Sequence, residues 1–288
     1  MGESDSMKVQ HIAAFSDGQH GGNPAGVVIC ERLAEPAEMQ KLAAEVGYSE
    51  SVFAAPIGED WRVRYFAPKA EVDFCGHATI ALGAALARQV GPGLFTLIIS
   101  RARITVEGRF SETDWGASFL SPPTRSGAAS KSVLSEALDL FSLNDTDLDL
   151  RLPPAVAHGG GDHLILALKD RRTLRDMRYD FEKGRALAER EGIVTFNLVY
   201  AETSQLFHSR NPFPFGGVYE DPATGAAAAA LAGYLRDLKW PHGGNIMIHQ
   251  GDDMGVPSRL IAEITSERGA SIRVSGSVRT IREPNVIV

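Results

Sequence analysis

The sequence predicts an α+β fold of two similar halves, each a mixed, barrel-like set of short strands wrapped around one central apolar helix. Three observations carry that prediction. Strand-like segments are many and helices few, without the strand–helix alternation of a doubly wound parallel sheet. Two segments, Ala78 to Ala87 (ATIALGAALA) and Ala226 to Leu235 (AAAAALAGYL), contain no charged residue. A helix that is apolar on every side must be buried on every side, and strands wrapped around it achieve this. Finally, His77 and Asp221 stand just before these two segments and lie half the length of the 288-residue chain apart, as an internal duplication would place them.

The elements follow in order. Val9 to Ala14 and Pro24 to Cys30 read as strands around a Gly-rich turn at Gly18 to Asn23. Ala34 to Val46 reads as an amphipathic helix, with Pro36 suited to its first turn and Gly47 to its stop. Ser51 to Ala55 and Arg62 to Phe66 alternate like strands. Leu94 to Ser100 and Ala102 to Val106 suggest a hairpin, followed by a strand at Gly116 to Leu120. The stretch from Pro122-Pro123 to Ser130 reads as the linker, so the halves are expected at 1–125 and 126–276. Beyond it come a helix at Ser132 to Phe141, strands near Ala155 and Leu164, a helix around Phe181 to Arg190, and strands near Val194 and Gln205. Further strands are expected near Ile246, Leu260 and Ile272, with a last one at Ser277 to Ile281.

Composition narrows the function. Apolar residues make up 44% of the chain and charged residues 23%, the mixture of an ordinary globular protein. Lys and Arg total 29 against 36 Asp and Glu, which argues against a nucleic-acid partner. No apolar run is long enough for a membrane span. The two cysteines, Cys30 and Cys75, supply neither a disulfide framework nor a thiolate cage. A cytoplasmic protein acting on small molecules is expected. Residues 1–6 fit a loose myristoylation pattern, but they are acidic and lack a basic neighbour, so a frayed tail is the preferred reading.

The chemistry-bearing residues cluster before the two apolar helices. The first loop is Asp73-Phe74-Cys75-Gly76-His77 and the second is Glu220-Asp221-Pro222-Ala223-Thr224-Gly225. A buried helix N-terminus has free N–H donors and the positive end of the macrodipole. Either side-chain caps, with Asp73 and Asp221 as candidates, or a bound carboxylate or phosphate satisfies them. His77 is a candidate proton carrier, with a satisfied core histidine as the alternative. Cys75 is either a thiol activated by a helix start or, preferably, a small buried hydrophobe. Glu50 enters an apolar strand, where a solvated edge is the ordinary reading. His158, Asp162 and His163 surround a Gly turn that a hairpin explains better than a metal. There is no GxGxxG, P-loop, GxSxG or CxxC motif.

Six motifs in register close the sequence argument. They are Phe15-Ser16-Asp17 with Gly22-Asn23-Pro24-Ala25-Gly26-Val27, Ser49-Glu50-Ser51-Val52-Phe53, Arg64-Tyr65-Phe66-Ala67-Pro68, Phe74-Cys75-Gly76-His77-Ala78-Thr79, and Glu220-Asp221-Pro222-Ala223-Thr224-Gly225. Arg210, Pro214, Gly217, Gln250-Gly251, Met254-Gly255 and Pro257-Ser258 add later matches. From about Lys8 onward the chain closely resembles the PhzF-like family, named for an isomerase of phenazine biosynthesis and related to diaminopimelate epimerase.

The resemblance implies the two-half architecture, an active site between the halves, a last segment (277–288) returning to the first half, and a homodimer. It implies a cofactor-independent isomerase of a small carboxylated metabolite, with no metal. Glu50 matches the general acid/base, and His77 and Asp221 match the residues that hold substrate and help move protons. Cys75, Gly76, Thr224, Gly225 and Ala226 fall at the positions that bind substrate. Moving a proton beside a conjugated carboxylate needs a base of raised proton affinity and dipoles aimed at the enolate, and partial burial of Glu50 between helix ends suits both. Two departures stand out. Ala226 replaces a serine common in the family, which puts the phenazine substrate itself in doubt. Cys75 replaces a smaller residue at a loop where the related epimerases carry a catalytic thiol, so an amino-acid racemase or epimerase using Cys75 is the alternative. A binding or regulatory protein without turnover is the third reading.

Overall fold

The structure is a computed structural model, and it describes residues 7–111 and 113–281. The acylation pattern at residues 1–6 and most of the expected returning segment at 277–288 lie outside the described residues. The chain divides into two compact units, Met1–Phe119 with Ser275–Val288, and Leu120–Val274.

The first unit contains β1 (Gln10–Ala14), β2 (Asn23–Ile29), α1 (Pro36–Val46), β3 (Glu50–Ile57), β4 (Asp60–Phe66), β5 (Glu71–Val72), α2 (Gly76–Val90), β6 (Gly93–Ile98), β7 (Arg103–Ser111) and β8 (Asp114–Leu120). Helix α1 starts at Pro36, whose fixed φ suits a first helical position, and stops at Gly47, which takes a left-handed φ of 72°. Its Met39 and Ala43 pack with Val28, Phe53 and Phe66, so α1 covers the outside of the strands. It is also the crossover that lets β2 and β3 run parallel. The pairs β1–β2, β3–β4, β6–β7 and β7–β8 are antiparallel, and β4–β6 is parallel. A late strand, Arg273–Thr280, pairs with both β8 and β1 and closes an eight-strand barrel.

Helix α2 fills that barrel. Every residue from His77 to Ala87 is buried, and the helix packs on β1, β2, β3 and β7. Small side chains make the close approach possible. A Cβ added at Gly108 of β7 would stand 2.2 Å from the carbonyl oxygen of Gly83 on α2, so the helix and strand backbones touch there.

The second unit contains β9 (Arg125–Ala128), α3 (Lys131–Phe141), β10 (Ala155–His158), β11 (Asp162–Ala167), α4 (Arg171–Arg175), α5 (Phe181–Glu191), β12 (Ile193–Ala201), β13 (Leu206–Phe213), β14 (Val218–Asp221), α6 (Gly225–Asp237), β15 (Asn245–Gln250) and β16 (Ser258–Glu263). Strand β17 is the late strand Arg273–Thr280 named above. Pairing runs β9–β10–β11–β12–β13–β15–β16, with β11–β12 and β13–β15 parallel. The segments at the two ends of this run are tied by backbone bonds from Ser121 N to the Ile272 oxygen and from Thr124 N to the Gly269 oxygen. Helix α6 packs on β9, β10, β11, β15 and β16, and Ala227 to Arg236 is buried throughout. Helices α3 and α5 cover the outside through Phe141, Leu187 and Ala188, which pack with Phe196 of β12.

Three local expectations change. The expected linker contains β9, which pairs with β10 despite its Ser-Gly-Ala composition. The two strands expected near Ile272 and at Ser277 to Ile281 are one continuous strand, because Gly276 lies in β17 without breaking it. Strand β14 and the short α4 were not expected from sequence; at four and five residues they are too short to carry a period.

Candidate active site

Strand register assembles the first cluster. In the parallel β2–β3 pair Ala25 lies opposite Glu50, so Asn23 and Glu50 mark the same end of neighbouring strands. Helix α2 begins at Gly76. His77, 6% exposed, is held where these elements meet. Its Nε2 lies 3.5 Å from Oε2 of Glu50 and 3.5 Å from Oγ of Ser49, and its Nδ1 lies 3.2 Å from Nδ2 of Asn23. Sγ of Cys75 is 3.3 Å from Nδ1 and 3.9 Å from Nε2 of the same ring. The imidazole therefore stands between a carboxylate and a thiol. Glu50 itself keeps 16% exposure at its side chain, so it is reachable from outside while His77 is not.

Burial sets the charge state of the ring. It pushes the His77 pKa below the ordinary imidazole value, against the opposing pull of the Glu50 carboxylate and a bond to the Pro24 carbonyl. The neutral ring is thereby favoured, with one nitrogen donating and the other accepting. Behind it, the Thr79 hydroxyl donates to the Cys75 carbonyl at 2.7 Å and lies 2.7 Å from the Tyr65 hydroxyl, locking the first turn of α2. Burial pushes the Tyr65 phenol up, so it stays protonated.

The N-cap residue of α2 is Cys75, and its side chain does not cap the helix amides. Asp73, the candidate cap, is instead exposed and paired with Arg101 at 3.2 Å. The start of α6 repeats the pattern. Its N-cap residue, Thr224, gives no side-chain cap either, and neither helix has an acidic residue in its first turn. Both helices thus present first-turn amides and a positive dipole end that their cap residues leave unanswered.

In the second unit, Asp221 ends β14 opposite Asn211 and is 8% exposed. Its Oδ2 accepts from the Thr224 hydroxyl at 2.5 Å. Gln250, buried at the end of β15, pins the loop from behind: its Oε1 accepts from Thr224 N, and its Nε2 donates to the Asp221 carbonyl at 2.7 Å. Gly225 is buried at the first position of α6, and Ala226 follows it, half-buried.

The structure thus brings Glu50, Cys75, Gly76 and His77 together in one unit, and Asp221, Thr224, Gly225 and Ala226 together in the other. Sequence reasoning assigned no role to Asn23, Ser49 or Gln250, although Asn23, Ser49 and Gln250 all lie within the motifs. What it lacked was the tertiary pairing, the β2–β3 register for Asn23 and Ser49 and the approach of β15 to the loop before α6 for Gln250, which no local pattern encodes. Elsewhere, His158 pairs with Asp162 at 2.6 Å across the β10–β11 hairpin, while His163 turns inward to Thr195. His163 is thus engaged apart from the His158–Asp162 pair, and among the described residues these three do not have the spacing of metal ligands.

Among the described residues no helix is long and apolar enough to cross a membrane. A family model described as "Phenazine biosynthesis-like protein" matches residues 12–283. An uncharacterized isomerase of Deinococcus radiodurans is 31% identical over 94% of this chain and 92% of its own length. A second, from Escherichia coli K12, is 28% identical over 94% and 95%. Among solved structures, a PhzF-family phenazine biosynthesis protein of Bacillus anthracis superposes with a TM-score of 0.85 at 22% identity, covering 98% of this chain and 99% of that one. A probable proline racemase from Agrobacterium radiobacter has a TM-score of 0.65 at 9% identity over 98% and 93%, a likeness of fold alone.

Proposed function

Since the chain belongs to the phenazine biosynthesis-like (PhzF) family of isomerases, we propose that it moves a proton between positions of a small carboxylated metabolite, with Glu50 as the general acid/base. The observation that carries this reading is the contact of the half-buried Glu50 with buried His77 at the uncapped start of an apolar helix.

The carboxylate of Glu50 takes the proton from carbon. Developing negative charge on the substrate falls to the first-turn amides and the dipole of α2, which are fixed in place before reaction and cost no reorganisation. His77, kept neutral by burial, holds Glu50 in position and receives or returns the proton. In the second unit Asp221, hydrogen-bonded to Thr224 at the start of α6, is assigned a further proton-handling role, and Gly225 there, like Gly76 at the start of α2, lets a carboxylate approach the backbone. With Ala226 in place of a hydroxyl, that position offers shape and no hydrogen bond. This favours a substrate other than the phenazine precursor.

A second reading rests on the 3.3 Å separation of Cys75 Sγ and His77 Nδ1. A histidine at that distance can take the thiol proton and make Cys75 a base, as a racemase or epimerase requires. The test is proton NMR in heavy water with a panel of dihydro-hydroxyanthranilate, proline and hydroxyproline isomers, diaminopimelate and simple α-amino acids. Catalysed deuterium uptake into one compound supports the isomerase and gives its substrate class. A carboxylate that binds the protein and keeps all its protons would point to a binding protein instead.

A further inference from the structure

The three groups around His77 have a property that proton transfer does not require. Among the described residues Glu50, Cys75 and His77 form the one group of three ligand-type side chains whose donor atoms all lie within 4.8 Å of one another. Through Nε2 of His77 the separations are 3.9 Å to the Cys75 sulfur and 3.5 Å to the Glu50 carboxylate. A tetrahedral zinc ion with Zn–S near 2.3 Å and Zn–N and Zn–O near 2.0–2.1 Å needs donor atoms about 3.3–3.7 Å apart. The cluster is therefore within a few tenths of an ångström of two of the three edges of a zinc site.

We propose that this cluster is a reversible binding site for a thiophilic divalent cation, Zn2+ above all, and that the ion inhibits the enzyme by occupying its proton-transfer groups. The inhibitory part rests on the function proposed above; the binding part rests on the donor geometry alone. One thiolate, one imidazole and one carboxylate select zinc or cobalt over magnesium or calcium, which prefer all-oxygen sites. Binding breaks the S–H bond of Cys75, releases that proton to solvent and forms a metal–sulfur bond. The neutral Nε2 of His77 and a Glu50 oxygen replace two more waters of the aqua ion, and no oxidation is involved. Burial already favours the neutral imidazole that a metal requires. The Pro24 carbonyl, hydrogen-bonded to the ring, is placed to orient it from behind, as the acceptors of metal-bound histidines do. A fourth position stays open to water.

Cobalt titration of the full chain tests this without a substrate. One equivalent of Co2+ should produce a sulfur-to-cobalt charge-transfer band in the near ultraviolet and tetrahedral d–d bands in the visible. The bands should persist in Cys30→Ser, which removes the other thiol, vanish in Cys75→Ser, and weaken or shift in Glu50→Gln. Added Zn2+ should bleach them. Circular dichroism confirms that each variant is folded. Bands that survive Cys75→Ser, bands lost in Cys30→Ser, or no bands in folded wild type overturn the proposal. Inhibition is read separately, as loss of deuterium exchange with Zn2+ and its return with a chelator. A cobalt spectrum without any exchange activity would leave the metal site standing and sink the isomerase reading, and the reverse result would do the opposite.

Discussion

His77 ties local burial to a global property. Its pKa is depressed by burial, and that of His163, fully buried between β11 and β12, is pulled down to about 3 for the same reason. In the unfolded chain both titrate near 6.5, so below that pH the unfolded state binds more protons than the folded one. Stability from these residues is therefore present above about pH 6.5 and is lost as pH falls below it; for His163 the loss continues toward pH 3, at up to about 1.4 kcal/mol per pH unit. Urea denaturation at pH 7.5, 5.5 and 4.5 should show a falling midpoint, and His163→Gln should flatten that fall. A midpoint independent of pH across this range would contradict the burial argument. Asn23→Ala removes one polar neighbour of Nδ1 and should lower kcat/KM roughly 2- to 10-fold, the worth of one ordinary hydrogen bond, and lower stability by about 1–3 kcal/mol because the site is buried. Motif and position identified Glu50, Cys75 and His77 because each sits in a short distinctive string. Asn23 and Ser49 stayed without a role because their contacts with His77 appear only once β2, β3 and α2 meet, and Gln250 because its bonds to Asp221 and Thr224 appear only once the end of β15 reaches the loop before α6.

The two central helices behave as their composition requires. Neither has a polar stripe, and α2 buries eleven consecutive residues from His77 to Ala87. The tightest point is the crossing with β7. A methyl group at Gly108 would run into backbone, not into the movable end of a side chain, so the strand or helix must shift. Gly108→Ala should destabilise the protein by about 1–3 kcal/mol or more, read from denaturant midpoints. Gly127→Ala, where a Cβ meets nothing within 4 Å, is the control expected to be near neutral. The linker that sequence suggested contains β9 because its backbone groups find β10, and pairing overrides a weak local preference. The single β17 follows the same logic: Ser277 and Val278 continue a ladder whose partner, β1, is more than 260 residues earlier.

At the scale of the whole molecule, fold class was legible because apolar periodicity and the duplicated spacing survive without knowledge of pairing. What was not legible is which strand closes what. Strand β17 pairs with β1 and β8, so the first unit takes both its opening and its final strands from the chain's two ends. Val278→Pro, in register with Ala14 and buried, puts a proline ring into a strand paired on both sides, where prolines are not accommodated. It should open the barrel, with a loss of about 3 kcal/mol or more and partial insolubility, whereas an equivalent proline at exposed Arg101 should be tolerated. The same architecture brings the first-turn groups of α2 against the ends of β2 and β3, on which the functional account depends. The most direct measurement is therefore solvent-deuterium exchange into the substrate found by the panel, run with wild type, Glu50→Gln and Cys75→Ala side by side. The account predicts that Glu50→Gln lowers the exchange rate by about 10²- to 10⁴-fold while Cys75→Ala stays within a few-fold of wild type. Exchange that survives Glu50→Gln and disappears in Cys75→Ala would contradict it and make the thiol the base.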